Sequence, residues 1–354
     1  MLPGVTRKIP VGLLGATGTV GQRFVERLAD HPWFEIACVA ASDRSQGRFY
    51  SEAASWRLPS PLPERVASLR VCSPSDDLPC RIVFSALDAA LAREIEPQCA
   101  RRGMLVFSNA SAHRMDEDVP LLIPEVNPGA IEVLARQRRE RGWTGAIVTN
   151  ANCSTIALVM ALFPIHREFG IERVFVTTLQ AVSGAGYPGV PSLDILGNVL
   201  PDIPEEAEKI ERETPKILGE FAAERVTPAP FSISAMTYRV PVADGHTESV
   251  SVKLRRRAES AQVIAAWERF RAPDGVRGLP SAPEAPVVYV SLPHRPQPRR
   301  DVDTAGGMAA VVGGLKPCAL LDWKFTVLAH NTIRGAAGQS VLNAEYALKK
   351  GLLD

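Results

Sequence analysis

Two α/β domains are what this sequence predicts, the first on a parallel sheet and the second on a mixed one. Three observations carry the prediction. The chain has 354 residues, more than one core usually organises. Up to residue 150, short apolar runs alternate with helical stretches, as in a parallel sheet covered on both faces. Beyond that point strand-like runs outnumber helices, which suits a mixed or antiparallel sheet.

The elements follow in order. Val11 to Leu14 is an apolar run ending in glycine, and Thr19 to Asp30 is helical, with Val20, Phe24, Val25 and Leu28 on one side. Phe34 to Ala40 completes a βαβ unit. Ile82 to Ser85 and Met104 to Phe107 are further strands, separated by a helix from Ala89 to Arg102. A strand ends near Thr149, and Ser154 to Phe169 is helical. Then come strands at Arg173 to Ala181, Ser232 to Val242, Thr247 to Leu254, Val287 to Leu292, Met308 to Val312 and Lys324 to Leu328. Gly335 to Lys350 is the closing helix, and the proline-rich stretches at 59–63 and 293–298 are loops.

Composition narrows the class. A net charge of +1 gives no global pull towards nucleic acid or an anionic membrane surface. The local arginine clusters, 136–141 and 255–257, are flanked by acids or apolar residues and are expected to be solvated faces. No segment has the apolar length of a spanning helix, and the N-terminus lacks the long apolar core of a signal peptide. Six cysteines show neither CxxC nor metal spacing, so a reducing cytoplasm, free thiols and no metal are expected.

The turn Gly15-Ala-Thr-Gly18-Thr-Val-Gly21 lies between the first strand and helix. Glycines there let backbone N–H groups approach a pyrophosphate at a helix N-terminus. The spacing is GxxGxxG rather than GxGxxG, and a plain structural turn is the bland reading. Candidate cofactor contacts are Gly15, Thr17, Gly18, Thr19 and Val20, with Ser85 at the end of a later strand. After the second strand, Ser42, Arg44 and Ser45 are donors suited to the 2′-phosphate of NADP, whereas Asp43 is the residue that would serve NAD.

Cys153 stands apart from the other thiols. In Asn150-Ala-Asn-Cys153-Ser-Thr155 it follows a strand end and opens a helix, where the dipole favours a thiolate and the two asparagines add donors. Cys38, Cys99 and Cys318 read as inert core thiols. A thioester mechanism needs an acid/base. His246 lies between two strand-like runs, on an expected rim turn, with His330 as competitor and a surface histidine as the bland alternative.

Taken together, the motifs resemble those of aspartate-semialdehyde dehydrogenases, in particular their archaeal and fungal branch, from Pro10 to Lys350. They are GATGTVGQ (15–22), SNAS (108–111), NANCST (150–155), LQAVSGAGYPG (179–189), EEAEK (205–209), RVPVADGHTE (239–248), RPQPR (295–299) and HNTIRGAAG (330–338). The resemblance implies a Rossmann-like NADP-binding domain over 1–152, completed by a C-terminal helix over 334–354. It implies an α+β catalytic and dimerisation domain of the glyceraldehyde-3-phosphate dehydrogenase type over 153–333. By this likeness Cys153 is the nucleophile, His246 the acid/base, and Gln180 orients the substrate. Arg239 would hold the substrate carboxylate and Glu206 its ammonium. Lys209, Arg114 and Asn152 would bind phosphate, and Asn331, Ser183 and Gly184 would lie near the nicotinamide. Without the likeness, Glu206 and Lys209 would read as an ordinary helix-surface pair.

The implied reaction is NADPH-dependent reductive dephosphorylation of 4-phospho-L-aspartate to aspartate 4-semialdehyde, a step towards lysine, threonine and methionine, by a cytoplasmic homodimer or tetramer. Its rivals are a malonyl-CoA reductase, which has no substrate ammonium for Glu206, an N-acetyl-glutamyl-phosphate reductase, and a silent NADP-binding scaffold. The sequence departs from the family's pattern at Tyr238, at Gly197, at Gly313-Gly314 where an arginine is common, and at Pro215, which is expected to interrupt the helix after Lys209.

Overall fold

A computed structural model describes residues 7–353. Its first sheet has six strands, β1 (Ile9–Leu14), β2 (Phe34–Ala40), β3 (Val71–Cys72), β4 (Ile82–Ser85), β5 (Leu105–Ser108) and β6 (Ala146–Thr149). They run in the order β3-β2-β1-β4-β5-β6, all parallel. The four residues of β4, β5 and β6 are buried throughout, which is why these strands read as continuous apolar runs rather than alternating ones.

The order reverses between β1 and β4. In open parallel sheets the crevice at the strands' carboxyl ends at such a point is where ligands bind. The glycine turn sits there, ahead of the Thr19–Leu28 helix. Gly15 has φ +71°, and a Cβ on it would meet the Ala86 carbonyl oxygen at 2.6 Å, so the turn takes glycine for two independent reasons.

The second sheet joins β7 (Ile171–Gln180), β8 (Leu200–Pro201), β11 (Ser232–Arg239), β12 (His246–Leu254), β13 (Val287–Val290), β14 (Ala310–Pro317) and β15 (Trp323–Ala329); β9 (Glu220–Ala222) and β10 (Arg225–Thr227) form a separate hairpin. The order is β13-β14-β15-β12-β7-β11-β8, with parallel pairing of β7 to β11 and of β13 to β14 and antiparallel pairing elsewhere. The mixed sheet expected from the sequence is thus present.

One face of this sheet packs on the Cys153–Phe169 helix. Leu158, Val159 and Leu162 meet Val176, Val250, Val252 and Val327 in one core. Truncating one such leucine to alanine costs about 2–5 kcal/mol. The opposite face leaves Phe175, Leu179 and Met236 exposed.

The chain then returns to the first sheet. Val341, Leu342 and Tyr346 of the Gly338–Lys349 helix share a core with Phe84 and Phe107. Before that helix, a π-helical turn over Ile333–Ala337 carries Arg334, which donates to Glu125 at 2.6 Å with both side chains fully buried. The pair fixes Gly335 against the Cys153–Phe169 helix, so close that a Cβ there would lie 2.6 Å from Cys153 Cβ.

One expectation is corrected. Pro215 does not break its helix, which runs from Glu206 to Ile217. Proline there deprives the Glu211 carbonyl of its helical N–H and crowds it, a local cost met in a turn whose Thr214 and Ile217 are buried. The departure at Gly313 has a local cause, since a Cβ there would lie 2.6 Å from the Arg295 carbonyl oxygen.

Candidate active site

Between the two sheets lies a cleft of about 740 Å³. The first sheet brings the glycine turn, Ser42, Arg44 and Ala86; the second brings Gln180, Ser183, Gly184 and Arg239. Cys153, Asn152, Arg114, Glu206 and Asn331 complete the expected set that lines it.

Asn152 caps the Cys153–Phe169 helix. Its Oδ1 accepts from the N–H groups of Ser154 (3.0 Å) and Thr155 (3.3 Å), its Nδ2 donates to Glu206 (2.8 Å), and its own N–H donates to Glu213 (2.6 Å). Both its backbone donor and one amide hydrogen are therefore already used. Asn150 is not a site donor at all. Its Nδ2 donates to Asn109 Oδ1 and the Ala336 carbonyl, and its Oδ1 accepts from Asn343.

The thiol of Cys153 is not depressed as the helix terminus alone suggests. Burial and the Glu206 carboxylate push it up to about 12, against the pull of Arg114 and Arg239. Desolvation is the larger effect. Cys38 and Cys99 are also raised, Cys99 to about 11 mainly by burial. Cys318 corrects the reading of it as a core thiol. It lies partly exposed between β14 and β15, and although burial raises it, hydrogen bonds from the Leu321 and Leu320 N–H groups hold it below the usual thiol range.

His246 is not on a rim turn. It is the first residue of β12, fully buried, because that strand starts earlier than its apolar pattern suggests. Its Nδ1 accepts from the Ala181 N–H at 3.1 Å, and Nε2 has no partner among the described residues. A Cβ on Gly184 would lie 3.2 Å from Nε2, so this glycine opens the path from the ring to the cleft. Burial, then the charge of Arg239, brings the imidazole down to about 3, so it is neutral.

Arg239 ends β11, and its Nη1 donates to the Ala181 carbonyl at 2.8 Å. Gln180 ends the neighbouring β7 and donates to Glu206 at 3.3 Å. Glu206 opens the next helix, with Lys209 at 3.2 Å one turn on. Lys209 stands behind the cleft wall and touches it through Glu206. Asn331 donates to Ser183 Oγ at 2.8 Å and accepts from the Gly245 N–H at 2.9 Å.

The first sheet's side suits a dinucleotide. Gly18 is the N-cap of the Thr19–Leu28 helix and offers no side-chain cap, so the N–H groups of the first turn stay available to an anion. Thr17, Thr19 and Val20 line the same wall. Of the loop after β2, Ser42 and Arg44 line the cleft and Asp43 does not. Two expected contacts fall outside the lining. Ser45 N–H closes a turn onto the Ser42 carbonyl at 2.8 Å, and the Ser85 hydroxyl is buried inside its strand. Ala86 and Leu87, the next residues, line the cleft instead. The sequence reading also missed Asn109, although it lies in a motif, and Glu213, for which spacing gives no signal.

Comparison with known proteins points the same way. Residues 10–134 match the family described as "Semialdehyde dehydrogenase, NAD binding domain", and residues 162–334 its "dimerisation domain". The chain is 51% identical over 341 residues to an aspartate-semialdehyde dehydrogenase of Methanothermobacter thermautotrophicus, covering 95% of this chain and 98% of that one. It is 45% identical over 359 residues to one of Cryptococcus neoformans, covering 98% of each. A crystal structure of the Candida albicans aspartate semialdehyde dehydrogenase with NADP superposes with a TM-score of 0.89 at 40% identity, covering 98% of this chain and 100% of that one. One from Vibrio cholerae, complexed with ASA, gives 0.77 at 27% identity, covering 97% and 99%.

Proposed function

Since the chain belongs to the aspartate-semialdehyde dehydrogenase family, we propose that it reduces 4-phospho-L-aspartate to aspartate 4-semialdehyde with NADPH, releasing phosphate. The observation that carries this reading is the meeting of Cys153, Gln180, Arg239, Glu206 and Arg114 on one cleft whose other wall is an uncapped glycine turn. NADPH, held by the Gly15–Val20 turn with Ser42 and Arg44 at its 2′-phosphate and Ser183, Gly184 and Asn331 at the nicotinamide end, supplies the hydride that reduces the thioester carbon.

The chain's own groups do the rest. Arg239 takes the substrate carboxylate as a forked pair, and Glu206 takes the ammonium. Arg114 neutralises the phosphate with Lys209 behind it. Substrate ammonium on Glu206 removes the charge that holds the Cys153 thiol up, so binding itself favours the thiolate. The thiol gives its proton to water in the open cleft, and the thiolate attacks the acyl carbon. The C–S bond forms and the C–O bond to phosphate breaks, the phosphate taking up a proton as it leaves. Because Asn152 N–H is committed to Glu213, the tetrahedral oxygen falls to the Cys153 N–H and to His246. With Nδ1 accepting, the ring carries its proton on Nε2 and is a donor towards the cleft. After reduction the oxyanion re-forms a carbonyl and expels the thiolate.

The division expected from the sequence, 153–333 for the chemistry and the rest for the cofactor, is the one adopted here. The exposed apolar face of Phe175, Leu179 and Met236 suits a homo-oligomer, a dimer or a dimer of dimers. Among the described residues no helix is long and apolar enough to cross a membrane, and we place the enzyme in the cytoplasm, acting on a small molecule without nucleic acid.

The test is an assay at 340 nm with aspartate semialdehyde, phosphate and NADP. Phosphate-dependent appearance of NADPH is the expected result. Its absence, with turnover of malonyl-CoA, would move the chain to the rival reductase. Retention of Glu206 in contact with the cleft favours the amino-acid substrate.

A further inference from the structure

We propose that Glu213 is a positioning residue that locks the guanidinium of Arg114 to the peptide carrying the nucleophile. This rests on the reading of the cleft just given. Glu213 is 2% exposed and touches neither the cleft nor, on this reading, the substrate. Its two oxygens are divided between two catalytic elements. Oε1 accepts from Arg114 Nη1 at 3.0 Å, and Oε2 accepts from the Asn152 N–H at 2.6 Å. One carboxylate thus sets the distance between the cation and Cys153, the next residue after Asn152.

The spacing on the helix explains how. Glu206, Lys209, Glu213 and Lys216 recur at three and four residues and share a face. Glu206 takes the Asn152 side chain, Glu213 its backbone, and Lys216 donates to the carbonyls of Arg114 (2.6 Å), Asp116 (3.0 Å) and Val119 (3.4 Å). Arg114 is therefore held at both ends. Its Nη2 donates to the Asn109 carbonyl at 2.7 Å, so each terminal nitrogen keeps one hydrogen unspent, and the side chain lines the cleft. A guanidinium fixed in this way is prepared for a phosphate oxygen.

The arrangement has opposed consequences. Glu213 orients Arg114 for phosphate. It also offsets part of the positive charge that would otherwise pull the Cys153 thiol down. Removing its charge should weaken phosphate recognition and, at the same time, make the thiol more acidic. A residue that merely supports the fold would do neither.

The experiment uses Glu213→Gln in the full chain saturated with NADP. The probe is inorganic phosphate, read as protection of Cys153 against iodoacetamide by peptide mass mapping. The half-protecting phosphate concentration should rise about tenfold or more, and the pH profile of Cys153 alkylation should move to lower pH. In turnover the KM for phosphate should rise similarly while NADP affinity stays within about twofold. Glu213→Asp keeps the charge with a shorter reach and should recover part of the protection. An unchanged phosphate requirement with an unmoved alkylation profile and only a lower Tm would overturn the proposal. So would a wild type that phosphate does not protect, or, if Glu213→Gln does not fold, a Glu213→Asp variant with wild-type values in both arms. The alkylation arms need no amino-acid substrate. A wild type that fails to turn over aspartate semialdehyde therefore sinks the substrate reading and leaves the judgement on Glu213 intact.

Discussion

The Nδ1 atom of His246 accepts a hydrogen bond from the Ala181 N–H at 3.1 Å, and this bond assigns the tautomer of the ring. Were Nδ1 protonated, two donors would face each other in a fully buried site. The proton is assigned to Nε2, so the resting ring is a donor on that side.

A dependence of stability on pH follows. An unfolded histidine titrates near 6.5, and His246 in the fold is brought down to about 3. Between those values the unfolded chain binds more protons. The stability linked to this group is full above pH 6.5 and is lost as pH falls towards 3, at up to about 1.4 kcal/mol per pH unit. His246→Gln should flatten this part of the curve in urea unfolding at several pH values. Parallel wild-type and variant curves would mean that the ring is not held neutral.

The second prediction concerns thiol reactivity. Burial and Glu206 hold Cys153 up, whereas Cys318 is below the ordinary thiol range, so iodoacetamide at pH 7 should label Cys318 first in the substrate-free protein. Glu206→Gln should then speed labelling of Cys153 while lowering kcat/KM, since the same carboxylate would bind the substrate ammonium. Cys153→Ala should abolish turnover and spare NADP binding. Faster labelling of Cys153 than Cys318 in the wild type would show that the dipole outweighs burial after all.

What the sequence made legible is what depends on neighbours in the chain. The glycine turn after β1 and the Asn-Cys step into a helix are local, and both appear where expected. Glu213 acts on Arg114 and Asn152 across 99 and 61 residues, and no spacing rule reaches that far. Asn150 was misjudged for the same reason, since its amide is consumed by Asn109 and the carbonyl of Ala336, which the fold brings back from the far end of the chain. Ser45 stays outside the cleft lining on a shorter scale, its N–H turning back onto the Ser42 carbonyl.

The third prediction is cofactor choice. Ser42 and Arg44 line the cleft and Asp43 does not. Arg44→Ala removes a charge-assisted contact to the 2′-phosphate, which is worth about 1.5–3 kcal/mol. The kcat/KM for NADPH should fall about 10- to 100-fold while that for NADH holds. A fall in both by equal factors would place Arg44 outside the 2′-phosphate site.

The last prediction separates substrate recognition from chemistry at Arg239. This arginine ends β11 with 6% exposure, and its Nη1 is already tied to the Ala181 carbonyl at 2.8 Å. The N–H of the same residue holds His246, so Arg239 and His246 are aligned by the two backbone groups of Ala181. The tie leaves the other guanidinium edge free to meet a carboxylate bidentately, and a lysine keeps the charge but loses that fork. Losing such a contact in a desolvated site costs about 2–5 kcal/mol, so Arg239→Lys should lower kcat/KM by about two to three orders of magnitude. NADP affinity should stay within a few-fold, because the residue belongs to the second sheet. The bland alternative is an arginine whose role is packing at the strand end. Arg239→Lys would then leave the kinetics nearly intact, and Arg239→Ala would lower Tm instead. Steady-state kinetics and melting of both variants decide between the two, because recognition predicts a large kinetic loss at nearly constant Tm and packing predicts the reverse.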